Sequence, residues 1–158
     1  MVIYRLYLDT SVFGALFDDE DPARIRATRR LLGLLVTGRY EGYVGREVLA
    51  EIGQAPTRLR DRLLETVRDA RPAILDPTPA SDALFDAYWA TGLFRRGSRM
   101  DARHLAVATV AGMDALVSWN YRDMVNLERK RVVHSVNIRH GYHMIDIVSP
   151  LEVPDVQE

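Results

Sequence analysis

An alternation of two kinds of segment constrains this chain more than any other feature. Short β-prone runs lie at 2–8 (VIYRLYL), 40–44 (YEGYV), 72–75 (PAIL), 114–118 (DALVS) and 144–148 (MIDIV). Between them lie longer, charged stretches whose apolar residues recur with helical spacing, at 22–38, 45–53, 56–70, 80–92 and 100–112. Pro22 and Pro56 stand where two of these open, and Gly53 and Gly112 where two others stop, as helix termini prefer. Strands alternating with helices imply right-handed crossovers, so the expected class is α/β with a mainly parallel five-stranded sheet. With 158 residues the chain is long enough for one domain with a real core. That core is expected to contain Ile3, Leu6, Leu8, Val12, Leu31, Leu35, Val44, Val48, Leu64, Ile74, Leu105, Val107, Leu116, Val117 and Ile147.

In such sheets ligands bind beyond the carboxyl ends of the strands, where the strand order reverses. Asp9, directly after RLYL and followed by Thr10 and Ser11, belongs at that rim, as does Asn120 after the fourth strand. Taken alone, Asp9 reads as the cap of a following turn. Glu51 lies in GREVLAEI, where Val48, Leu49 and Ile52 supply an apolar face. Glu47 is one turn earlier and remains an alternative to it. A glutamate on an amphipathic helix is ordinarily solvated. Asp101 opens MDARHLAVATVAG, the most apolar helix, whose alanines at 102, 106, 108 and 111 let it approach the sheet closely. A carboxylate in the first turn is favoured by the helix dipole. His104 reads as a packed, hydrogen-bonding histidine, because no second histidine stands at ligand spacing on that helix. Asn120, between Ser118 and Asp123 in LVSWNYRDM, suits a turn and is also an oxygen donor.

The chain has no cysteine, which excludes disulfides, zinc–thiolate sites and thiol catalysis and suits a cytoplasmic location. Oxygen donors without thiolates or a histidine pair suit Mg2+ or Mn2+. Crowded carboxylates raise one another's pKa values, and a divalent cation relieves that repulsion. A net charge of −1 gives no bulk argument for nucleic acid, so any contact must come from a local patch. Arg95, Arg96, Arg99 and Arg103 in FRRGSRMDARH, and Arg129, Lys130 and Arg131 in NLERKRVV, are phosphate-contact candidates or ordinary solvated surface. Tyr121 and Trp119 are candidates for stacking on an unpaired base, with core packing the equal alternative for Trp119. Glycine-rich phosphate loops are absent, against a nucleotide-binding ATPase or dehydrogenase. No apolar run approaches the roughly 18 residues of a membrane span. The acidic run DDED (18–21) reads as a solvated loop, and HGYH (140–143) is a poor zinc motif.

Four segments in order, YLDTSVFGAL, VLAEI, DARHLAVA and LVSWNYRDM, resemble the PIN-domain nucleases, most closely their VapC-like toxin branch. The resemblance covers nearly the whole chain, including the end VNIRHGYHMIDIVSPLEV. It implies a PIN-like three-layer α/β/α fold, with Asp9, Glu51 and Asp101 matching the family's leading acids. Asn120 stands where many members carry aspartate. Asp123 lies three residues on, where some relatives with asparagine place an acid. Thr10 and Ser11 match polar residues that hydrogen-bond the carboxylates or bound water. The implied activity is Mg2+- or Mn2+-dependent hydrolysis of RNA phosphodiester bonds. The implied partners are RNA and a protein antitoxin occupying the acidic groove; a homodimer is a further candidate state that the resemblance does not decide. Two alternatives compete with this. One is a PIN fold with weakened catalysis acting as a binding module, suggested by Asn120. The other is a receiver-type signalling domain using Asp76 in ILDPTP and Ser118, although the fifth strand ends DIVSP without the lysine such a domain needs.

Overall fold

Five strands form one parallel sheet in the computed structural model, which describes residues 2–155. They are β1 (Arg5–Leu8), β2 (Glu41–Gly45), β3 (Ala73–Leu75), β4 (Ala115–Val117) and β5 (Asp146–Val148), in the order β3-β2-β1-β4-β5. Central β1 pairs Tyr7 with Tyr43 of β2 on one side and with Leu116 of β4 on the other. The chain builds outward from β1 to β2 and β3, then returns across the sheet to β4. The strand order therefore reverses between β1 and β4, and a crevice opens at their carboxyl ends.

Among the described residues seven α-helices fill the connections: α1 (Thr10–Gly14), α2 (Pro22–Val36), α3 (Arg46–Gly53), α4 (Thr57–Ala70), α5 (Pro79–Ala90), α6 (Arg99–Val110) and α7 (Leu127–Arg139). Right-handed crossovers put α1 to α4 on one face and α5 to α7 on the other. The packing of α2 on α4, α3 on α4, α5 on α6 and α5 on α7 agrees with those layers. Local sequence explains the boundaries. The Asp21 carboxylate caps α2 by accepting from Arg24 N, and Thr78 and Ser81 close a reciprocal capping box ahead of α5. Gly112 ends α6 at a φ of 75°, in the left-handed region that favours glycine. On α6, Ala102, Ala106 and Ala108 are buried, so the helix backbone lies close to the sheet. No helix among the described residues is long and apolar enough to cross a membrane.

Helices α1 and α7 lie outside the periodic stretches read from sequence. The first is little more than a turn held by Asp9. The second buries Val133, Val136 and Asn137, and the β-branched run RVVHSV gives it a weak helical signature. Its buried Asn137 is matched by the Tyr88 hydroxyl, which donates to Asn137 Oδ1. Of the expected core, Ile3 and Ile74 are exposed, at 42% and 47%, and Leu64 is only half-buried. Ile3 precedes β1, and Ile74 lies on edge strand β3, where no neighbouring strand flanks its outer side. The receiver alternative fails on topology. That fold orders its strands 2-1-3-4-5, whereas here β2 separates β3 from β1. Asp76 accordingly lies at the sheet edge, paired with Arg46.

Candidate active site

The crevice is floored by the end of β1. Asp9 follows Leu8, and its amide continues the ladder by donating to Val117 O at 3.2 Å. Its side chain caps α1 by accepting from Ser11 N at 3.0 Å and from Ser11 Oγ. Ser11 Oγ also accepts from Trp119 N at 2.9 Å and lies 3.3 Å from Ser118 Oγ. The latter oxygen accepts from Asn120 N. Two serines thus tie the end of β1 to the end of β4. Cap and site residue are not exclusive readings of Asp9, because the same bonds that cap α1 orient the carboxylate into the crevice. Asp9 is only 2% exposed. Burial pushes its pKa up, while His104 and the hydroxyls of Ser11 and Ser118 oppose the rise.

Glu51 enters from α3. Thr10 donates its hydroxyl to Glu51 Oε1 at 2.8 Å, and His104 Nε2 lies 2.6 Å from the same oxygen. The other imidazole nitrogen, Nδ1, lies 2.7 Å from the Tyr7 hydroxyl, so a buried chain Tyr7–His104–Glu51 links β1, α6 and α3. Burial alone would raise the Glu51 pKa, but the hydrogen bond and charge of His104 hold it below the usual range. Burial would lower that of His104, yet its bond to Glu51 and the charges of Asp9, Glu51 and Asp101 leave it raised. Each shift favours the charged form of its group. Histidine 104 is a packed, hydrogen-bonding residue, as its isolation in sequence suggested. Its link to Glu51 was not legible there, because the partner lies 53 positions away. Glu47, on the same helix, lies beside Pro77, Ser81, Phe85 and Arg103, and its charge acts on the Tyr7 hydroxyl at the other end of the Tyr7–His104–Glu51 chain. Gly45 lets the chain pass there, since a Cβ at that position would collide with the Tyr7 hydroxyl.

Asp101, in the first turn of α6, is half-buried and accepts from Asn120 Nδ2 at 3.3 Å. Its pKa is pushed up to about 7 by burial first and then by the charge of Asp9, with Asp123 and Glu51 adding to the rise. Asn120 uses its other amide atom locally: Oδ1 accepts from Asp123 N at 3.0 Å. Asp123 faces Arg129, with Oδ1 3.7 Å from Nη2. The fold thus gathers Asp9, Glu51, Asp101 and Asn120 in one linked cluster, with Thr10 and Ser11 inside it and Asp123 at its margin. Among the described residues no group of three or more Asp, Glu or His side chains is disposed to hold a metal ion by itself.

The cations distribute unevenly. Arg95 and Arg96 are exposed in the segment leading into α6. Arg99 and Arg103 are two positions either side of Asp101, which on a helix points them away from it. Both lie over the Phe85 ring, at 5.6 and 4.6 Å, on the flank formed by α5. Arg129 is buried under Phe94, 4.3 Å from its ring, whereas Lys130 is half-buried and Arg131 exposed. Trp119 is 5% exposed, donates Nε1–H to Thr28 Oγ1 at 2.9 Å and packs with Ala15 and Ala27, so its ring is core.

The sequence model of the PIN domain matches residues 6–130, which run from β1 into the start of α7 and include every residue of the cluster. No curated protein matches the chain.

Proposed function

The chain belongs to the PIN domain family, and we propose that it is a metal-dependent endoribonuclease, the toxin of a VapC-like toxin–antitoxin pair. PIN domains are generally nucleases that use divalent metal ions. The observation that carries the reading is the pair Asp9 and Asp101. One carboxylate is buried at the switch point, and its charge helps hold the other near neutrality. Two acids kept in this condition make sense as cation ligands, because a bound cation relieves both. Their oxygens suit Mg2+ or Mn2+. Magnesium in particular takes one or two carboxylates and keeps several waters, so it needs no closed cage of three side chains.

Asp9 and Asp101 would hold the ion, with Glu51 and Asp123 beside it. When bound, the ion supplies Lewis acidity toward the scissile phosphate and its attacking water. The chain's own residues do the positioning. Ser11 fixes Asp9, Thr10 and His104 fix Glu51, and the Asn120 amide steers Asp101. Arg95 and Arg96, just ahead of α6, would grip substrate phosphates beside the cluster, and Arg99 and Arg103, on the flank over Phe85, would meet the strand only farther from it. An antitoxin segment would aim an arginine or lysine at Asp9 and Asp101 and pair its acids with Arg95, Arg96 and Arg99. We place this activity in the cytoplasm, in a single PIN-like domain of residues 1–158, with a homodimer as a further partner state.

The test is cleavage of single-stranded RNA in Mg2+ or Mn2+ against excess chelator, beside induction of the chain in bacteria with and without the neighbouring small reading frame. Metal-dependent cleavage with Asp9-dependent growth arrest, relieved by the neighbour, supports the proposal. Cleavage without arrest leaves a nuclease that is not a toxin. A second reading, a binding module with weakened catalysis, is favoured by Asn120, whose carbonyl oxygen is engaged by Asp123 N. It predicts RNA binding without metal-dependent cleavage.

A further inference from the structure

Beside the acidic cluster, three side chains outside it form a second feature of the crevice mouth. Trp119 is locked, with its ring in the core and its backbone N–H on Ser11 Oγ. Two positions later the Tyr121 ring stands at 79° to it, with centroids 6.3 Å apart. The Arg24 guanidinium lies over both rings, 5.1 Å from that of Trp119 and 5.6 Å from that of Tyr121. Arg24 stands at the start of α2, where its Nε is 3.0 Å from Asp21 Oδ2. Tyr121 nevertheless remains 42% exposed. Between the two aromatics stands Asn120, whose amide reaches Asp101.

Single exposed aromatics on a protein surface are ordinary and need no explanation. This one differs in having a guanidinium over its ring and the edge of a buried indole against it, one residue from the acidic cluster. We infer that Tyr121, backed by Arg24 and Trp119, is a stacking platform for one unpaired nucleobase of the substrate strand. The inference rests on the nuclease reading and deepens it: the substrate presents single-stranded nucleotides at the cluster. An aromatic face beside a guanidinium suits a nucleobase because every base has a π-face and the cation adds to the attraction. A duplex cannot use it without unstacking, since its bases are already paired and stacked.

Binding of end-labelled single-stranded RNA, single-stranded DNA and an RNA duplex to the full chain, followed by fluorescence anisotropy in chelator, tests this apart from cleavage. Tyr121→Ala should weaken binding of single strands about 5- to 100-fold, whereas Tyr121→Phe should stay within about twofold of wild type. Duplex binding should be the same in all three proteins. One abasic position, scanned along the strand, should cost wild type the same factor and cost Tyr121→Ala nothing more. Loss on RNA and DNA alike, or on RNA alone, supports the platform and tells whether the sugar is also read. Wild-type affinity in Tyr121→Ala overturns it, as does equal loss in the alanine and phenylalanine variants. Cleavage in Mg2+ is measured in parallel. Cleavage with an unaffected Tyr121→Ala overturns the platform alone, and base-dependent binding without cleavage supports the platform while removing the nuclease reading. No binding of any strand by wild type overturns the platform, and no cleavage in Mg2+ beside it overturns the nuclease reading as well.

Discussion

Replacing Asp101 by asparagine in metal-free protein should stabilise the fold by an amount that is close to zero near pH 4, grows as pH rises and levels off above about 7. Folding raises the pKa of this carboxyl from 3.8 to about 7, through burial and the nearby charge of Asp9. Between those values the folded chain holds a proton that the unfolded chain has released. Stability from this group is therefore full below pH 3.8, falls as pH rises through about 7, and is flat above it. The interval is roughly three pH units, which at about 1.4 kcal/mol each sets a ceiling of about 4 kcal/mol. Asp101 is half-buried, and solvent screening should reduce the realised gain to about 2–3 kcal/mol. Asparagine keeps the shape, and its carbonyl can still accept from Asn120 Nδ2. For a chain of this size the gain corresponds to a rise in Tm of about 5–10 °C at pH 8 and almost none at pH 4. Thermal melts of both proteins in chelator at pH 4, 6 and 8 measure it. Repeating the pH 8 melt with Mg2+ should raise the wild type and narrow the gap, because the ion binds the folded wild type more tightly. An equal difference in Tm at pH 4 and pH 8 would refute the reasoning, since a packing effect does not titrate.

Three further outcomes are expected. Asp9→Asn and Asp101→Asn should each abolish Mn2+-dependent RNA cleavage while far-UV circular dichroism stays native; wild-type cleavage persisting in excess chelator would show that the acids act without an ion. Asn120→Asp should tighten Mn2+ binding in calorimetry, because it puts a carboxylate oxygen where an amide now donates to Asp101, and Asp123→Ala should weaken binding more than Asn120→Ala; unchanged affinity in all three would remove positions 120 and 123 from the ion's surroundings. Tyr7→Phe should cost about 1–2 kcal/mol in urea unfolding by leaving buried His104 Nδ1 without its hydroxyl partner. A variant as stable as wild type would mean that bond contributes nothing.

The sequence by itself determined what depends on near neighbours along the chain. Periodicity, prolines and glycines located all five strands and five of the helices, because backbone geometry and one-sided burial repeat within a few residues. The rim position of Asp9 and Asn120 follows from the same logic, since each ends a strand in a parallel sheet. Helix α7 escaped because its β-branched residues weaken the helical signal and its burial depends on α5 and α6. Strand order was a tertiary decision: only the pairing of β1 with both β2 and β4 brings the end of the first strand beside the end of the fourth. So was the direction of each side chain. Glu51 joins Thr10 and His104 while Glu47, one turn away, acts on the Tyr7 hydroxyl instead, because α3 is fixed in rotation by Val48 and Ile52 against the core. Arg99 and Arg103 flank Asp101 in sequence but lie over Phe85 in space, because residues two apart on a helix face opposite ways. Sequence spacing fixes which element a residue rides on; the packing of that element against distant ones decides what the residue meets.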